Sequence, residues 1–409
     1  MQIYIVGGAV RDDLLKYPVH EKDWVVVGAT PQQMIDLGFT QVGKDFPVFL
    51  HPQTKEEYAL ARTERKTSPG YTGFTVQAAP DITLEQDLYR RDLTINAMAR
   101  DNNHNIIDPF NGQSDIKNKI LRHVSPAFSE DPVRILRVAR FAARYHHLGF
   151  QIADTTLALM KSMVLQGEVS ALVAERVWQE MHKALGERHP EVFIQTLRDC
   201  GALKIILPEI DCLFGVPQPE KYHPEIDTGV HTLMVLHQAC LLTNDKTTRF
   251  AALCHDLGKG ITPKDKWPAH HGHEEGGVPL VEQVCTRLRI PNEFRDLAVM
   301  TARFHLHYHR AWELRADTLL KLIEQTDALR KPQRFENFLL ACMADTRGRP
   351  GFEHEPCPQT AYFLDIAHTL GKLDIEDLKT QQLSGKAMAD AIREKRMTAI
   401  KSLIKNQPS

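Results

Sequence analysis

The hydrophobic pattern of residues 1–120 alternates between short strands and helices. Residues 3–7 (IYIVG) predict a strand, residues 9–16 (AVRDDLLK) a helix and residues 23–28 (DWVVVG) a second strand. Residues 46–62 (FPVFLHPQTKEEYALAR) predict a hairpin with HPQTK as its turn. Because both element types occur in one region, the fold class predicted for it is α+β.

The pattern changes after this region. Residues 65–80 (RKTSPGYTGFTVQAAP) have no periodicity and predict a mobile loop. From residue 131 onward, stretches such as DPVRILRVARFAARY and AERVWQEMHKAL have a helical period, and strand signals almost vanish. The Pro-rich connector FGVPQPEKYHPEIDTG places a domain boundary near residue 225. We expect four regions, at residues 1–125, 126–224, 225–330 and 331–409.

Composition adds few constraints. The 409 residues are 43% hydrophobic and 25% charged, with a formal net charge of −2, which neither indicates nor excludes a nucleic-acid partner. Seven cysteines are scattered singly without a CxxC pair, so neither a disulfide framework nor a zinc knuckle is indicated. No apolar run approaches the ~18 residues that cross a bilayer. We therefore expect a cytoplasmic protein with no membrane contact.

Two short motifs near the N-terminus contain residues that could bind a phosphate or a metal ion. VGGAVRD places a Gly pair between a strand and a helix, where backbone N–H groups can approach a phosphate and Arg11 can reach the same anion; a tight turn explains the glycines equally well. In EKDWVVVG, Glu21 and Asp23 are two residues apart and share one strand face. A phosphate cradle followed by paired carboxylates is what metal-assisted nucleotidyl transfer requires.

Two further motifs add arginines. YRRDLTINAMA contains Arg90, Arg91, Asp92 and Asn96, the last two on one face of a predicted helix, although a solvated Arg pair at a helix start is an alternative. EDPVRILRVARFAAR carries an arginine stripe on a second helix, formed by Arg134, Arg137, Arg140 and Arg144. Such a stripe needs an anionic partner, either acidic side chains or phosphates. Asp131 and Arg134 together can present a hydrogen-bonding edge to a nucleobase.

Four motifs follow one another along the chain: GGAVRD, the acidic pair Glu21 and Asp23, RRDLTINAMA and EDPVRILRVARF. Together they resemble the class II tRNA nucleotidyltransferases, the CCA-adding enzymes of the DNA polymerase β-type superfamily. The resemblance implies a nucleotidyltransferase head with a mixed sheet, followed by all-α neck, HD and tail regions. It also implies template-independent addition of the tRNA 3′-terminal CCA from CTP and ATP. The loop at residues 65–80 matches the region that in this family governs the switch from C to A.

The resemblance also implies roles for individual residues. Glu21 and Asp23 are the implied Mg²⁺ ligands and catalytic carboxylates, and Asp131 and Arg134 the implied reader of C or A. The implied CTP- and ATP-binding residues are Gly8, Arg11, Arg91, Asp92, Asp131, Arg134, Arg137 and Arg140. The family's first carboxylate is usually Asp, so Glu21 makes the metal geometry a point to test. Glu57 is a further acidic candidate.

A second candidate site lies in RFAALCHDLGKG, where His255 and Asp256 are adjacent on a predicted helix. Histidines and a carboxylate from other helices accompany them, which suits a divalent metal. The His…His-Asp…Asp order resembles the HD phosphohydrolase domain, and implies His231, His255, Asp256 and Asp345 as metal ligands, with His273 and His305 as additional ligands or as phosphate contacts. Residues 305, 307 and 309 cannot all face one side of a helix.

The combination of head and HD domain resembles the long CCA proteins of gammaproteobacteria. It implies 2′,3′-cyclic phosphodiesterase, 2′-nucleotidase and phosphatase activities, and a divalent transition metal such as Ni²⁺ at the HD site. The expected partners are tRNA, CTP and ATP, for a monomer or homodimer. Two alternatives are a bacterial poly(A) polymerase, and a tRNA-binding phosphohydrolase whose head is inactive because of Glu21.

Overall fold

The computed structural model describes residues 1–19, 21–42, 48–66, 74–379 and 384–405. Within this part the chain forms two compact units, residues 1–206 and residues 207–409. The strands all lie in the first unit: β1 Gln2–Val6, β2 Asp23–Val27, β3 Thr40–Val42, β4 Val48–Leu50, β5 Glu57–Leu60, β6 Arg62–Lys66, β7 Phe74–Ala78, β8 Ala99–Arg100, β9 Ile106–Ile107, β10 Ile120–Leu121 and β11 Gln151–Ile152.

The α-helices of the first unit are α1 Gly8–Leu14, α2 Pro31–Asp36, α3 Leu84–Tyr89, α4 Gly112–Asn118, α5 Val133–Tyr145, α6 Asp154–Leu165, α7 Ala174–Leu185, α8 Pro190–Asp199 and α9 Leu203–Ile206. Those of the second unit are α10 Pro208–Asp211, α11 Thr228–Leu242, α12 Lys246–Cys254, α13 His273–Arg287, α14 Asn292–His309, α15 Ala316–Gln325, α16 Pro332–Arg347, α17 Pro358–Gly371, α18 Glu376–Lys379 and α19 Gly385–Lys405.

A seven-stranded mixed sheet in the order β3-β4-β5-β2-β1-β8-β9 forms the centre of the first unit. β2 is parallel to β5 and antiparallel to β1. Because successive side chains of a strand point to opposite faces, Val25 and Val26 enter two different apolar clusters. The sheet is therefore covered on both faces, which explains the uninterrupted apolar run after Asp23.

The structure confirms the predicted α+β head and the mainly helical remainder. The predicted hairpin forms from β4 and β5. The prediction of a loop at residues 65–80 is wrong at its two ends, because β6 and β7 pair there as antiparallel strands; residues 67–73 lie outside the described residues.

Two predicted helices differ from the structure. The helix predicted to carry both Asp92 and Asn96 is wrong: α3 stops at Tyr89, and these residues lie in an irregular turn and a short 3₁₀ helix. The helix predicted to contain His255 and Asp256 is shorter than expected, because α12 stops at Cys254 and both residues follow it.

The second unit is built around α11, α12, α14 and α16, which pack against one another. Its connector, residues 214–227, is held by an isolated bridge between Pro217 and Asp227 and by a backbone hydrogen bond from Gln218 to Ile226 of 2.7 Å. This connector therefore has defined backbone contacts within the second unit.

Candidate active sites

One cavity of about 770 Å³ in the first unit is lined by every residue predicted for the first site. These residues come from α1, the start of β2, the turn after α3, and the segment that enters and forms α5, so the fold brings four separate segments together. The predicted residues on its wall are Gly8, Arg11, Glu21, Asp23, Arg91, Asp92, Asp131, Arg134, Arg137 and Arg140. The cavity also contains Glu57 and Arg176.

Glu21 and Asp23 are exposed at the start of β2, on the cavity wall. The parallel register of β2 and β5 sets Asp23 beside Glu57, whereas Glu56 accepts a hydrogen bond from Trp24 at 3.1 Å. Three carboxylates thus reach one cavity from two neighbouring strands. Hard oxygen donors of this kind fit a Mg²⁺ ion, and Glu21 keeps the charge and donor type of an aspartate.

Arg11 is buried under this cavity. Its guanidinium donates to Asp12 at 2.9 Å and to Asn96, and lies over the rings of Phe141 and Tyr145 with centroid distances of 5.1 and 5.6 Å. The two rings restrict the guanidinium to a fixed orientation. Gly7, at the strand-to-helix turn, has a φ of 68°, which explains one of the two glycines.

Asp92 is buried and organises the turn after α3. It accepts hydrogen bonds from Asn96 at 3.0 Å and from Arg137 at 2.7 Å. Burial alone would raise the pKa of Asp92, but the charge of Arg137 and these hydrogen bonds outweigh burial and hold the pKa well below its usual value. The carboxylate is therefore charged at neutral pH. Arg91 pairs at 3.1 Å with Asp87, while its Nε is buried without a hydrogen-bond partner among the described residues.

The arginine stripe of α5 is largely paired with acidic side chains. Arg137 contacts Asp92, Arg140 contacts Glu180 at 2.6 Å, and Arg144 contacts Asp12 at 3.3 Å. Arg134 instead donates to the backbone carbonyls of Ala127 and Arg90 at 2.7 and 2.6 Å. Of the two partners that the sequence allows for the stripe, acidic side chains are present in the structure.

Arg176 on α7 is a residue of this site that sequence reasoning did not identify. Its guanidinium makes two hydrogen bonds to Asp131, of 3.1 and 2.7 Å, so Asp131 is paired with Arg176 rather than with Arg134. Arg176 is one of several charged residues on the polar face of the helix AERVWQEMHKAL, so the sequence does not distinguish it as a partner of Asp131. The pair joins α7 to the extended residue Asp131, two positions before α5.

The second site is a buried cluster in the second unit. Its members are His231 on α11, His255 and Asp256 after α12, His273 on α13, His305 and His309 on α14, and Asp345 on α16. His231 Nε2 is 3.0 Å and His309 Nε2 is 2.6 Å from the two oxygens of Asp345. His307, on the same helix as His305, lies instead against Phe304, as the helical period requires.

Two groups of potential metal ligands share Asp256. In one it joins His231 and His255, in the other His273 and His305, and within each group the ligand atoms lie within 4.8 Å of one another. His255 Nδ1 is 2.8 Å from the carbonyl of Ala252, which directs Nε2 into the cluster. His255 Nε2 and Asp256 Oδ1 are buried without a hydrogen-bond partner among the described residues. Unsatisfied buried donors and acceptors of this chemistry fit a divalent metal.

The charges of the cluster are coupled. Burial would raise the pKa of Asp256, but His255 and Lys259 hold it well below its usual value. Burial lowers the pKa of His305 to about 3, so this imidazole is neutral, as a metal ligand must be. Sequence reasoning did not identify Glu225, which lies 2.9 Å from His231 Nδ1, or His309 as a partner of Asp345.

Comparisons with known proteins place these sites in families. Residues 3–122 match the family described as "Poly A polymerase head domain", residues 149–213 "Probable RNA and SrmB- binding site of polymerase A", and residues 228–331 "HD domain". The Multifunctional CCA protein of Thioalkalivibrio sulfidiphilus is 64% identical over 403 residues, which cover 98% of each chain. The chain belongs to the multifunctional CCA protein family.

Further relatives and solved structures are also similar to this chain. The Multifunctional CCA protein of Teredinibacter turnerae is 62% identical, with 98% of both chains covered, and that of Hahella chejuensis is 57% identical, with 98% of this chain and 95% of the relative covered. A solved CCA-adding enzyme in an apo form has a TM-score of 0.67 at 20% identity, covering 100% of this chain and 89% of that one. The Bacillus stearothermophilus CCA-adding enzyme in complex with CTP has a TM-score of 0.63 at 22% identity, covering 98% and 89%.

Members of this family are divalent-metal-dependent through both their nucleotidyltransferase and HD domains, and the donor sets of both sites fit that dependence. Among the described residues, no helix is long and apolar enough to span a membrane.

Proposed function

We propose that this chain adds and repairs the 3′-terminal CCA of tRNA from CTP and ATP in the first unit, and hydrolyses phosphate esters in the second. The observation that supports this most strongly is the cavity that contains both the carboxylates Glu21 and Asp23 and the base-reading candidates Asp131 and Arg134. Metal-assisted nucleotidyl transfer and nucleotide choice both require such a cavity.

In the proposed reaction, Arg11 and Arg91, beside Gly8 at the strand-to-helix turn, bind the triphosphate. Arg11 is already oriented by the rings of Phe141 and Tyr145. A guanidinium that is oriented before the nucleotide binds lowers the entropic cost of positioning the triphosphate for reaction. When held by Glu21 and Asp23, Mg²⁺ would neutralise triphosphate charge and favour ionisation of the attacking 3′-hydroxyl.

The remaining residues select the nucleotide. Asp131 offers acceptors and Arg134 offers donors to the base edge, while Asp92 faces the ribose and holds Arg137 in the cavity wall. Arg140, paired with Glu180, completes the pocket. The tRNA partner is recognised mainly through shape and backbone, so no base-reading motif outside the cavity is required.

In the second site, His231, His255, Asp256 and Asp345 would hold a transition metal ion, for which Ni²⁺ is our candidate. Such an ion supplies a water of lowered pKa and polarises a phosphoryl oxygen. The chain's own contribution is to orient the imidazoles through Ala252 and Glu225 and to keep His305 neutral. The expected substrates are 2′,3′-cyclic phosphates and phosphate monoesters.

The functional regions we propose are a head at residues 1–125, a neck at 126–224, an HD domain at 225–330 and a helical C-terminal region at 331–409. The family matches at residues 3–122, 149–213 and 228–331 support the first three. Asp345, whose Oδ1 lies 3.0 Å from His231 Nε2, is the ligand that we propose the C-terminal region contributes to the second site.

The test is an end-addition assay with CTP, ATP and a tRNA that lacks its 3′ end. Addition that stops after C, C and A supports the proposal, long A tracts without C indicate a poly(A) polymerase, and no incorporation with hydrolysis intact indicates an inactive head. In the same preparations, Asp23→Ala should remove incorporation and leave cyclic-phosphate hydrolysis, whereas Asp256→Ala should do the reverse. Loss of both activities in either variant would contradict two separate sites.

A further inference from the structure

Two cationic side chains lie against the carboxylates of the second site. Lys259 Nζ is 2.6 Å from Asp256 Oδ2 and also donates to Gln218 Oε1 at 2.5 Å. Arg349, just after α16, has Nη2 at 3.6 Å from Asp345 Oδ1, and 17% of its side chain is exposed. Lys259 thus makes two short contacts, whereas Arg349 makes one long contact to a carboxylate among the described residues and retains access to solvent.

Arg349 has an unsatisfied hydrogen-bonding potential. Its Nε is buried without a hydrogen-bond partner among the described residues. Arg330, in the same unit, uses two donors on Asp327 at 2.6 and 3.1 Å, which is the usual geometry of a structural Arg–carboxylate pair. A guanidinium has five N–H donors in a planar fork, so Arg349 has donors available for a ligand with several oxygens.

The net charge of the metal-loaded cluster indicates that this ligand is an anion. The two carboxylates that these cations contact, Asp256 and Asp345, are balanced in charge by Lys259 and Arg349, whereas Glu225 and Glu274 contact the outer Nδ1 atoms of His231 and His273. A divalent ion bound by Asp256 and Asp345 would therefore give the inner part of the cluster a net positive charge. A phosphate ester would neutralise the cluster, and its oxygens match the planar donors of an arginine better than those of a lysine.

We propose that Arg349 binds the phosphoryl oxygens of the substrate in the second site, and that Lys259 positions Asp256. The ligand class is a ribose phosphate ester or free phosphate. The inference rests on the proposed phosphohydrolase function of this site, and assigns the group that recognises the phosphate rather than the groups that hold the metal.

The experiment compares Arg349→Gln and Arg349→Lys with Arg330→Gln, a control that removes a paired arginine elsewhere in the unit. Full-length proteins are stripped of metal, and Ni²⁺ binding is measured by calorimetry. Binding of inorganic phosphate to the loaded proteins, and inhibition by phosphate of 2′,3′-cyclic nucleotide hydrolysis, are then measured. We expect Ni²⁺ affinity to be unchanged, phosphate affinity to fall about tenfold or more in Arg349→Gln, and KM to rise with it. Arg349→Lys should recover part of the loss, because it keeps the charge but not the fork.

Unchanged phosphate binding in Arg349→Gln would overturn the inference while the phosphohydrolase function stands. Loss of Ni²⁺ binding in that variant would also overturn it, because Arg349 would then act by positioning Asp345. If the wild-type protein binds phosphate through Arg349 but hydrolyses no ester, the inference stands and the proposed hydrolase function fails. Thermal unfolding of all variants separates these outcomes from misfolding.

Discussion

Arg176 and Asp131 are 45 residues apart in the chain, yet their side chains form a bidentate pair with N–O distances of 3.1 and 2.7 Å. The pair joins α7 to the residue that precedes α5, and both residues line the nucleotide cavity. Asp131 is thus held with its two oxygens in a defined direction. If Asp131 reads the base, Arg176 determines where its acceptors lie.

We therefore predict that Arg176→Ala and Arg176→Lys lower kcat/KM for CTP and ATP by about tenfold or more, because neither holds Asp131 by a two-pronged contact. Discrimination against UTP and GTP should weaken as well. The measurement is single-nucleotide incorporation into tRNA that ends before each C or A. Arg198→Ala, on the exposed side of α8, is the matched control. Unchanged selectivity in both Arg176 variants would remove the positioning role.

Glu57 lies beside Asp23 through the parallel register of β2 and β5. We predict that Glu57→Gln raises the Mg²⁺ concentration needed for half-maximal nucleotide incorporation, since the substitution removes one of the three carboxylates, Glu21, Asp23 and Glu57, that reach the cavity from β2 and β5. Glu56→Gln is the control, because Glu56 points instead to Trp24 and the amide can still accept that hydrogen bond. Identical Mg²⁺ titrations for the two variants would show that Glu57 takes no part.

The second unit should depend on metal for part of its stability. Because His255 Nε2 and Asp256 Oδ1 are buried and make no hydrogen bond within the described part of the chain, a bound ion would stabilise the folded state by mass action. We predict that chelator treatment lowers the unfolding temperature of the full chain and that Ni²⁺ or Mn²⁺ restores it. His255→Ala should be insensitive to both treatments, whereas His354→Ala, at an exposed histidine, should respond like the wild type. A chelator response in His255→Ala equal to that of the wild type would contradict this site.

Asp92 gives a pH prediction for the first unit. Its pKa is lowered in the folded state because the charge of Arg137 and the hydrogen bonds of Arg137 and Asn96 outweigh burial. The stabilisation is complete above the unfolded-state pKa of about 3.9 and is lost as the pH falls through the folded-state pKa. The free energy of unfolding should therefore fall more steeply below about pH 5 in the wild type than in Asp92→Asn.

Urea unfolding, followed at several pH values, measures this difference. Asp81→Asn, at an exposed aspartate, should retain the wild-type slope. Equal slopes in the wild type and in Asp92→Asn would show that the Asp92–Arg137 pair contributes no pH-dependent stability.

The sequence by itself determined the parts of this protein that depend on local patterns. The apolar run of DWVVVG predicted a buried strand, the helical period of residues 131–145 predicted α5, and the family motifs predicted that the residues from Gly8 to Arg140 act together. Each of these rests on the spacing of residues within one element or on a motif, so the chain order alone carries the information.

Only the tertiary structure decided which charges meet. Arg140 pairs with Glu180, Asp131 with Arg176, and Asp345 with His309, and each pair joins segments that no periodicity connects. The buried contacts just after α3 and α12 are likewise seen only in the structure: Asp92 accepts a hydrogen bond from Asn96, and His255 Nδ1 lies 2.8 Å from the carbonyl of Ala252. Side-chain pairing between distant segments follows from how helices and sheet pack, and local propensity contains no record of that packing.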